Sequence, residues 1–343
     1  MKKIYIITFI VIGIVILVLM MQKNRLKLVI QTSSVVENSE KKYIKWVECN
    51  LSLKVLEKTA KLDIDSHINN EKIKYNWIEL IAYLASKYGN DFNQFKQKDL
   101  DNLIGKLQEG KKMEDIAKDL EYYPYYLESY SAILKEFIGE YEIEVKNETN
   151  EKIFEKRYGI KVFHPIAKGY SFSHYKDFGN SRSYGYKRQH LGNDLMGNIG
   201  TPIIALESGI VEACGWNQYG GWRIGIRSFD GKRYYYYAHL RKNTPFVQDM
   251  YEGKIVRAGD VIGYLGMTGY SNKENTNNIN TPHLHFGMQL IFDASQKEGN
   301  NQIWLDVYNI MEFLRKNQVE VYKKSEEKDH QRKYDFMESM IYD

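Results

Sequence analysis

"GGWRIGIRSFDGKRYYYYAHL", residues 220 to 240, places two alternating runs rich in aromatic and β-branched residues on either side of Asp230-Gly231. Alternation with a period of two marks strands, and Asp-Gly between two such runs is a hairpin turn, because both residues tolerate the left-handed backbone the turn needs. The segment predicts an antiparallel hairpin. On its second strand Tyr235, Tyr237 and His239 share one face, while Tyr234, Tyr236 and Ala238 take the other. One face therefore ends in an imidazole. Tyr237 is expected beside His239 at the floor of a groove, with Tyr234 and Tyr236 turned away as ordinary sheet aromatics.

The same grammar continues on both sides. "TPIIALESGIVEACGW", "KIVRAGDVIGYLGMTGYS" and "HLHFGMQLIF" are short strands separated by turn residues such as Glu207-Ser208-Gly209 and Ala258-Gly259-Asp260. Residues 150–317 read as a mostly antiparallel β domain. Upstream, residues 43–147 read as a small all-helical domain. In "NWIELIAYLASKYG" Trp77, Leu80, Ile81, Leu84 and Tyr88 fall on one helical face, with Asn76 as N-cap and Gly89 as the stop. A later helix, "YYLESYSAILKEFIGEY", is expected to run to Gly139. Residues 318–343 carry both charge signs densely and read as a solvated tail.

The N-terminus carries a different signal. Ile4 to Met21 is continuously apolar over about the span a bilayer needs, and no small-residue cleavage site follows. Residues 1–25 therefore read as a cytoplasmic stub and transmembrane signal anchor, joined by a linker over 26–42. The fold class expected is multidomain: an N-terminal transmembrane helix, a small all-α domain, then a mostly antiparallel β domain. The localisation that follows is a single-pass membrane protein with its C-terminal part outside the cytoplasm. Lysines and arginines flank the apolar run on both sides, so charge alone does not orient it.

Composition narrows the partners. A net charge of +4 over 343 residues does not call for nucleic acid. Cys49 and Cys214 lie far apart with no C-x-x-C spacing, which points to neither a disulfide framework nor a thiolate metal site. The helical part has one histidine, His67, and reads as a spacer or a surface for a protein partner.

Chemistry concentrates in the β domain. In "HLGND", His190 and Asp194 are four residues apart and project to one side in either an extended or a helical backbone. In "HLHFG", His283 and His285 share one strand face while Leu284 turns into the core. His190, Asp194 and one histidine of that pair make a two-nitrogen, one-oxygen donor set, with a fourth position left for water. The remaining imidazole of the pair and His239 are then available as a general base and as a donor to a tetrahedral oxyanion.

The ordered set "HLGND", "GTPIIALESGIV", "YAHL", "GDVIG", "GMTG" and "HLHF" resembles the lysostaphin and LytM-type zinc endopeptidases over about residues 160–290. The resemblance implies a β-sandwich of the duplicated hybrid motif kind that cleaves peptide bonds in peptidoglycan cross-links or stem peptides. It implies Zn2+ held by His190, Asp194 and His285, with His239 and His283 as the catalytic pair. A second expectation, from another class, is an inactive scaffold of the same fold that binds cell wall or a partner protein.

Two positions depart from the family pattern. Gly287 stands where a glutamate is usual, and Asn193 stands where a bulky apolar residue is commoner. Asn193 is expected to add polarity beside Asp194. His164 and His174 are expected in surface loops; Tyr184 and Tyr186 precede His190 by even spacings, with reach to a substrate carbonyl the minority reading; and "SNKENTNNINTP" reads equally as a polar wall of the groove or as a disordered surface loop.

Overall fold

Asn76 caps the helix Trp77–Tyr88 by accepting from the Ile78 N–H at 2.9 Å, and Gly89 ends it at φ +58°, a left-handed backbone that costs glycine least. The computed structural model describes residues 43–184, 186–299, 301–323 and 326–338. Within them the helix expected to run to Gly139 stops at Leu134. "IGEYEIEVK" alternates instead as β1 (Ile138–Lys146) and pairs through nine residues with β2 (Lys152–Ile160). A full-length ladder outweighs one more helical turn.

The strands that follow are β3 (Phe172–His174), β4 (Ser181–Tyr184), β5 (Tyr186–Gln189), β6 (Asn193–Gly197), β7 (Pro202–Ile204) and β8 (Gly209–Asn217). After them come β9 (Gly221–Ser228), β10 (Arg233–Ala238), β11 (Ile255–Val256), β12 (Val261–Tyr264), β13 (His283–Leu290) and β14 (Ile303–Trp304). The main sheet has eight strands in the order β11-β8-β9-β10-β13-β6-β3, with β14 beside β13. At its centre is the hairpin of β9 and β10, whose turn is closed by Asp230 accepting from the Lys232 N–H at 3.0 Å and by Gly231 at φ +72°. The expected sandwich is thus unequal, because the strands β7 and β12 pair with each other as a separate two-stranded sheet.

Tyr235, Tyr237, Ile224, Ile226, Leu284 and Phe286 are fully buried on one face of the sheet. Ile203 and Ile262 belong to the same apolar cluster, and so do Leu80, Ile81 and Leu84 of the helical segment. Helices and sheet share one core, and residues 44–343 form one compact unit. Arg233 joins the two parts inside it. Its guanidinium is fully buried, donating to Glu207 at 2.8 and 2.9 Å and to the Ala132 carbonyl at 2.7 Å, while the Tyr235 hydroxyl also donates to Glu207. Removing the cation leaves a carboxylate uncompensated in a dry interior. Arg233→Ala is expected to lower stability by about 3–5 kcal/mol in urea denaturation; a loss below about 1 kcal/mol would show that the carboxylate is already solvated.

Two expectations are corrected here. Among the described residues no helix is long and apolar enough to cross a membrane. The longest, Leu53–Ile68, has 16 residues, about 24 Å against a hydrocarbon core of about 30 Å. The expected fold class with an N-terminal transmembrane helix, the single-pass membrane localisation and the membrane as a partner therefore have no support; the apolar run from Ile4 to Met21 lies outside the described residues. The architecture that stands is a helical segment followed by a mostly antiparallel sheet. The region expected as a solvated tail also folds back. There β15 (Val321–Tyr322) pairs with β16 (Gln331–Arg332), and β17 (Phe336–Met337) pairs with β1, burying Phe336. Glu338 is buried as well, 3.1 Å from the Lys161 ammonium.

Candidate metal centre

Register on the main sheet brings the candidate residues together. His285 on β13 lies directly opposite Asp194 on β6 and opposite Ala238 on β10, and opposite residues in an antiparallel pair share a face. His283, two residues earlier, shares that face too. His190 reaches it across a bend at Gly192, where a Cβ would lie 2.6 Å from the Phe286 carbonyl oxygen and 2.7 Å from the His285 ring. Only glycine permits that approach. The His190 N–H donates to the Asn180 carbonyl at 2.9 Å, which fixes the bend from the other side.

Three ligand-type atoms converge. His190 Nε2 is 2.8 Å from His285 Nδ1 and 3.1 Å from Asp194 Oδ1, and His285 Nδ1 is 3.3 Å from the same oxygen. A tetrahedral ion bound at about 2.0–2.1 Å holds its ligand atoms about 3.3–3.4 Å apart, so the triangle suits a small divalent ion such as zinc. The donor chemistry agrees. His190 Nδ1 donates to the Asp177 carbonyl at 3.0 Å, which leaves the Nε2 lone pair pointing at the other two acceptors. Burial alone would raise the Asp194 carboxyl; the imidazoles of His190, His285 and His283 gathered around it outweigh burial and hold the group far below the usual carboxylate range. Burial pushes the His285 imidazole down, as a neutral ligand requires.

His239 arrives by a route that alternation does not describe. Tyr235 and Tyr237 lie on the buried face, with the Tyr237 hydroxyl accepting from the Leu206 N–H at 2.9 Å. His239 would follow them inward, but its own φ is +61°. This left-handed residue ends β10 and turns the ring to the opposite face, 4.8 Å from the His283 ring and 5.9 Å from that of His285. The expected positions of the tyrosines are therefore reversed. Tyr236 packs edge-on to His285 at 5.9 Å, while Tyr237 belongs to the core.

Both remaining imidazoles have a defined tautomer. His239 Nδ1 is 2.8 Å from the Thr268 carbonyl oxygen and His283 Nδ1 is 2.8 Å from that of Thr281. A carbonyl can only accept, so each Nδ1 carries the proton and each Nε2 keeps its lone pair. Burial, then the neighbouring His283 and His285, push the His239 imidazole well below its ordinary range. A cleft of about 180 Å³ opens here, lined by Arg182, His190, Asp194, His239 and His283. Tyr270, Asn278, Ile279 and Asn280 form its other wall, which includes part of the polar loop.

Other candidates fall elsewhere. Neither His164 nor His174 presents its ring on a surface loop: His164 is buried and its Nδ1 accepts from the Ile166 N–H at 3.1 Å, and the His174 side chain, on β3, is turned inward with Nδ1 3.0 Å from Glu312. Neither lines the cleft. His67 stacks on Tyr158 at 4.0 Å, and His330 lies 3.1 Å from the Tyr170 hydroxyl. Tyr186 is exposed and edge-on to Tyr219; the side chain of Tyr184 lies outside what is described. Asn193 adds no polarity beside Asp194, because it faces the core, where its Oδ1 accepts from the Val307 N–H at 3.0 Å. At Gly287 a Cβ would lie 2.7 Å from the Trp304 ring, so that indole occupies the space a glutamate would need.

Asp177 and Arg182 were not legible as site residues. The Asp177 carbonyl orients His190, its carboxylate accepts from the Asp194 N–H at 3.2 Å, and Arg182 donates to Asp177 at 2.7 Å and to Asp194 at 3.2 Å. They belong to no motif. The one available signal was the alternating run "SRSYGYKRQ" around Gly185, which reads as a hairpin leading into His190.

Two imidazoles and a carboxylate around one point, with two further imidazoles at the rim, are the donor types that single-metal hydrolase centres use. Residues 188–299 match the model of Peptidase family M23. The L-Ala–D-Glu endopeptidase of Bacillus subtilis (strain 168) is 40% identical over 124 residues, 36% of each chain. Lysostaphin of Staphylococcus simulans is 42% identical over 98 residues, 28% of this chain and 17% of that one. The match thus spans about a third or less of these curated relatives. A LytM-type crystal structure from Ruminococcus gnavus shares the fold, with a TM-score of 0.52 and 22% identity over 81% of this chain and 93% of that chain.

Proposed function

We propose that this protein is a zinc-dependent endopeptidase that cleaves peptide bonds in peptidoglycan cross-links or stem peptides during cell-wall remodelling. The observation that carries this is the convergence of His190 Nε2, Asp194 Oδ1 and His285 Nδ1 within 2.8–3.3 Å of one another, inside the segment that matches the peptidase family. Those three atoms would hold the ion. When bound, zinc supplies a Lewis acid that polarises the scissile carbonyl and acidifies water.

The remaining work falls to the protein. His239 and His283 offer Nε2 lone pairs toward the cleft, and their Nδ1 protons are committed to Thr268 and Thr281. One Nε2 takes the proton of the attacking water and passes it to the leaving amine, and the other, having taken a proton from solvent, donates it in a hydrogen bond to the tetrahedral oxyanion. Asp177 and Arg182 hold His190 and Asp194 in place. The relatives act on L-Ala–D-Glu and glycyl-glycine bonds by name, which supports a wall peptide as substrate. The test is to incubate the zinc-loaded full chain with purified peptidoglycan and follow new amino termini by labelling and mass spectrometry. Release of peptides with new amino termini is expected. Wall binding with no new termini would overturn the enzyme in favour of a scaffold.

A further inference from the structure

The hairpin of β4 and β5 contributes Arg182 to the cleft lining and carries an unusual pair. Arg182 and Arg188 are directly opposite in its register, so both guanidinium groups project from one face. Like charges so placed destabilise a hairpin unless anions compensate them. Arg182 is compensated by Asp177 and Asp194. Arg188 has no carboxylate within bridging distance among the described residues. Instead its guanidinium lies 4.9 Å from the Tyr219 ring and 5.0 Å from the Tyr270 ring. Its Nη1 is buried and makes no hydrogen bond among the described residues.

Such an arrangement fixes a planar cation in position without neutralising it. The position matters, because Tyr270 also packs edge-on to His239 at 5.8 Å and lines the cleft. Arg188 thus stands one tyrosine ring from a candidate catalytic imidazole, within about three residues of an extended peptide lying across it. We propose that Arg188, clasped by Tyr219 and Tyr270, is a specificity residue that reads a free carboxylate on the peptide substrate near the scissile bond. The proposal rests on the endopeptidase reading of the cleft and narrows it: acidic stem peptides are favoured over neutral glycyl bridges.

Two synthetic stem peptides decide it, L-Ala–γ-D-Glu–L-Lys–D-Ala and its D-isoglutamine counterpart, which differ by one carboxylate against one carboxamide. The zinc-loaded wild type is expected to prefer the carboxylate in kcat/KM by about tenfold or more, the scale of one charge-assisted hydrogen bond. In Arg188→Gln the ratio should fall to near unity, and Arg188→Lys should keep part of it, since the charge remains but the planar stack is lost. A ratio compares two substrates on one protein sample, so partial misfolding of a variant does not alter it. A wild-type ratio near unity, or an unchanged ratio in Arg188→Gln, overturns the proposal. If neither peptide is cleaved, the endopeptidase reading fails on its own, and calorimetric binding of the same two peptides judges the subsite. There a tenfold preference that is lost in Arg188→Gln upholds it, and equal affinities overturn it.

Discussion

His190→Ala is expected to bind zinc at least about 100-fold more weakly than the wild type, and to leave peptidoglycan intact over times in which the wild type digests it. The scale follows from coordination. Disturbing a residue that merely orients a ligand costs 10–100-fold in metal affinity, and His190 supplies one of only three donor atoms. The nearest other groups are not part of the triangle: Arg182, 3.2 Å from His190 Nδ1, is a cation and cannot ligate, and His283 Nε2, 3.7 Å from Asp194 Oδ1, lies outside the three converging donor atoms. Competition with a chromophoric chelator measures the affinity, and labelled amino termini measure the hydrolysis. His285→Ala should behave alike. Digestion at the wild-type rate in either variant would exclude His190, Asp194 and His285 as the metal-holding set.

What could be read from the chain follows from the range of each interaction. Alternation along "HLHF" set His283 and His285 on one face because a strand keeps its period as long as its backbone stays extended. The same rule failed at His239, where a single left-handed residue reversed the face; nothing in "YAHL" signals it, since the turn is held from outside by the Gly220 carbonyl accepting the His239 N–H at 2.7 Å. Asp177 and Arg182 act across folds of chain that no local period predicts. Trp304 fills the space beside Gly287 from β14, a strand that pairs with β13 but lies outside the "HLHF" motif. Charge density misled at the C-terminus, where Phe336 and Glu338 find partners in β1 and Lys161. Composition reports solvation only when no such partner exists.

His239→Ala should separate the chemistry from the metal. Its ring is held by Thr268 and stands outside the triangle of ligand atoms, so zinc affinity is expected to stay within about threefold of the wild type. The hydrolysis rate should fall by about 10²–10⁴-fold, the usual contribution of a positioned acid or base. Two controls keep that loss interpretable. The left-handed backbone at 239 strains alanine as it does histidine, so His239→Gly, which relieves the strain, should be more stable than His239→Ala by about 1 kcal/mol yet equally slow. Free imidazole can enter the space vacated beside Tyr270 and His283, and it should restore part of the rate to both variants. A His239→Ala protein that keeps its zinc and hydrolyses wall within about threefold of wild type would leave His239 with no chemical role, and the remaining proton transfers would have to be carried by His283 alone.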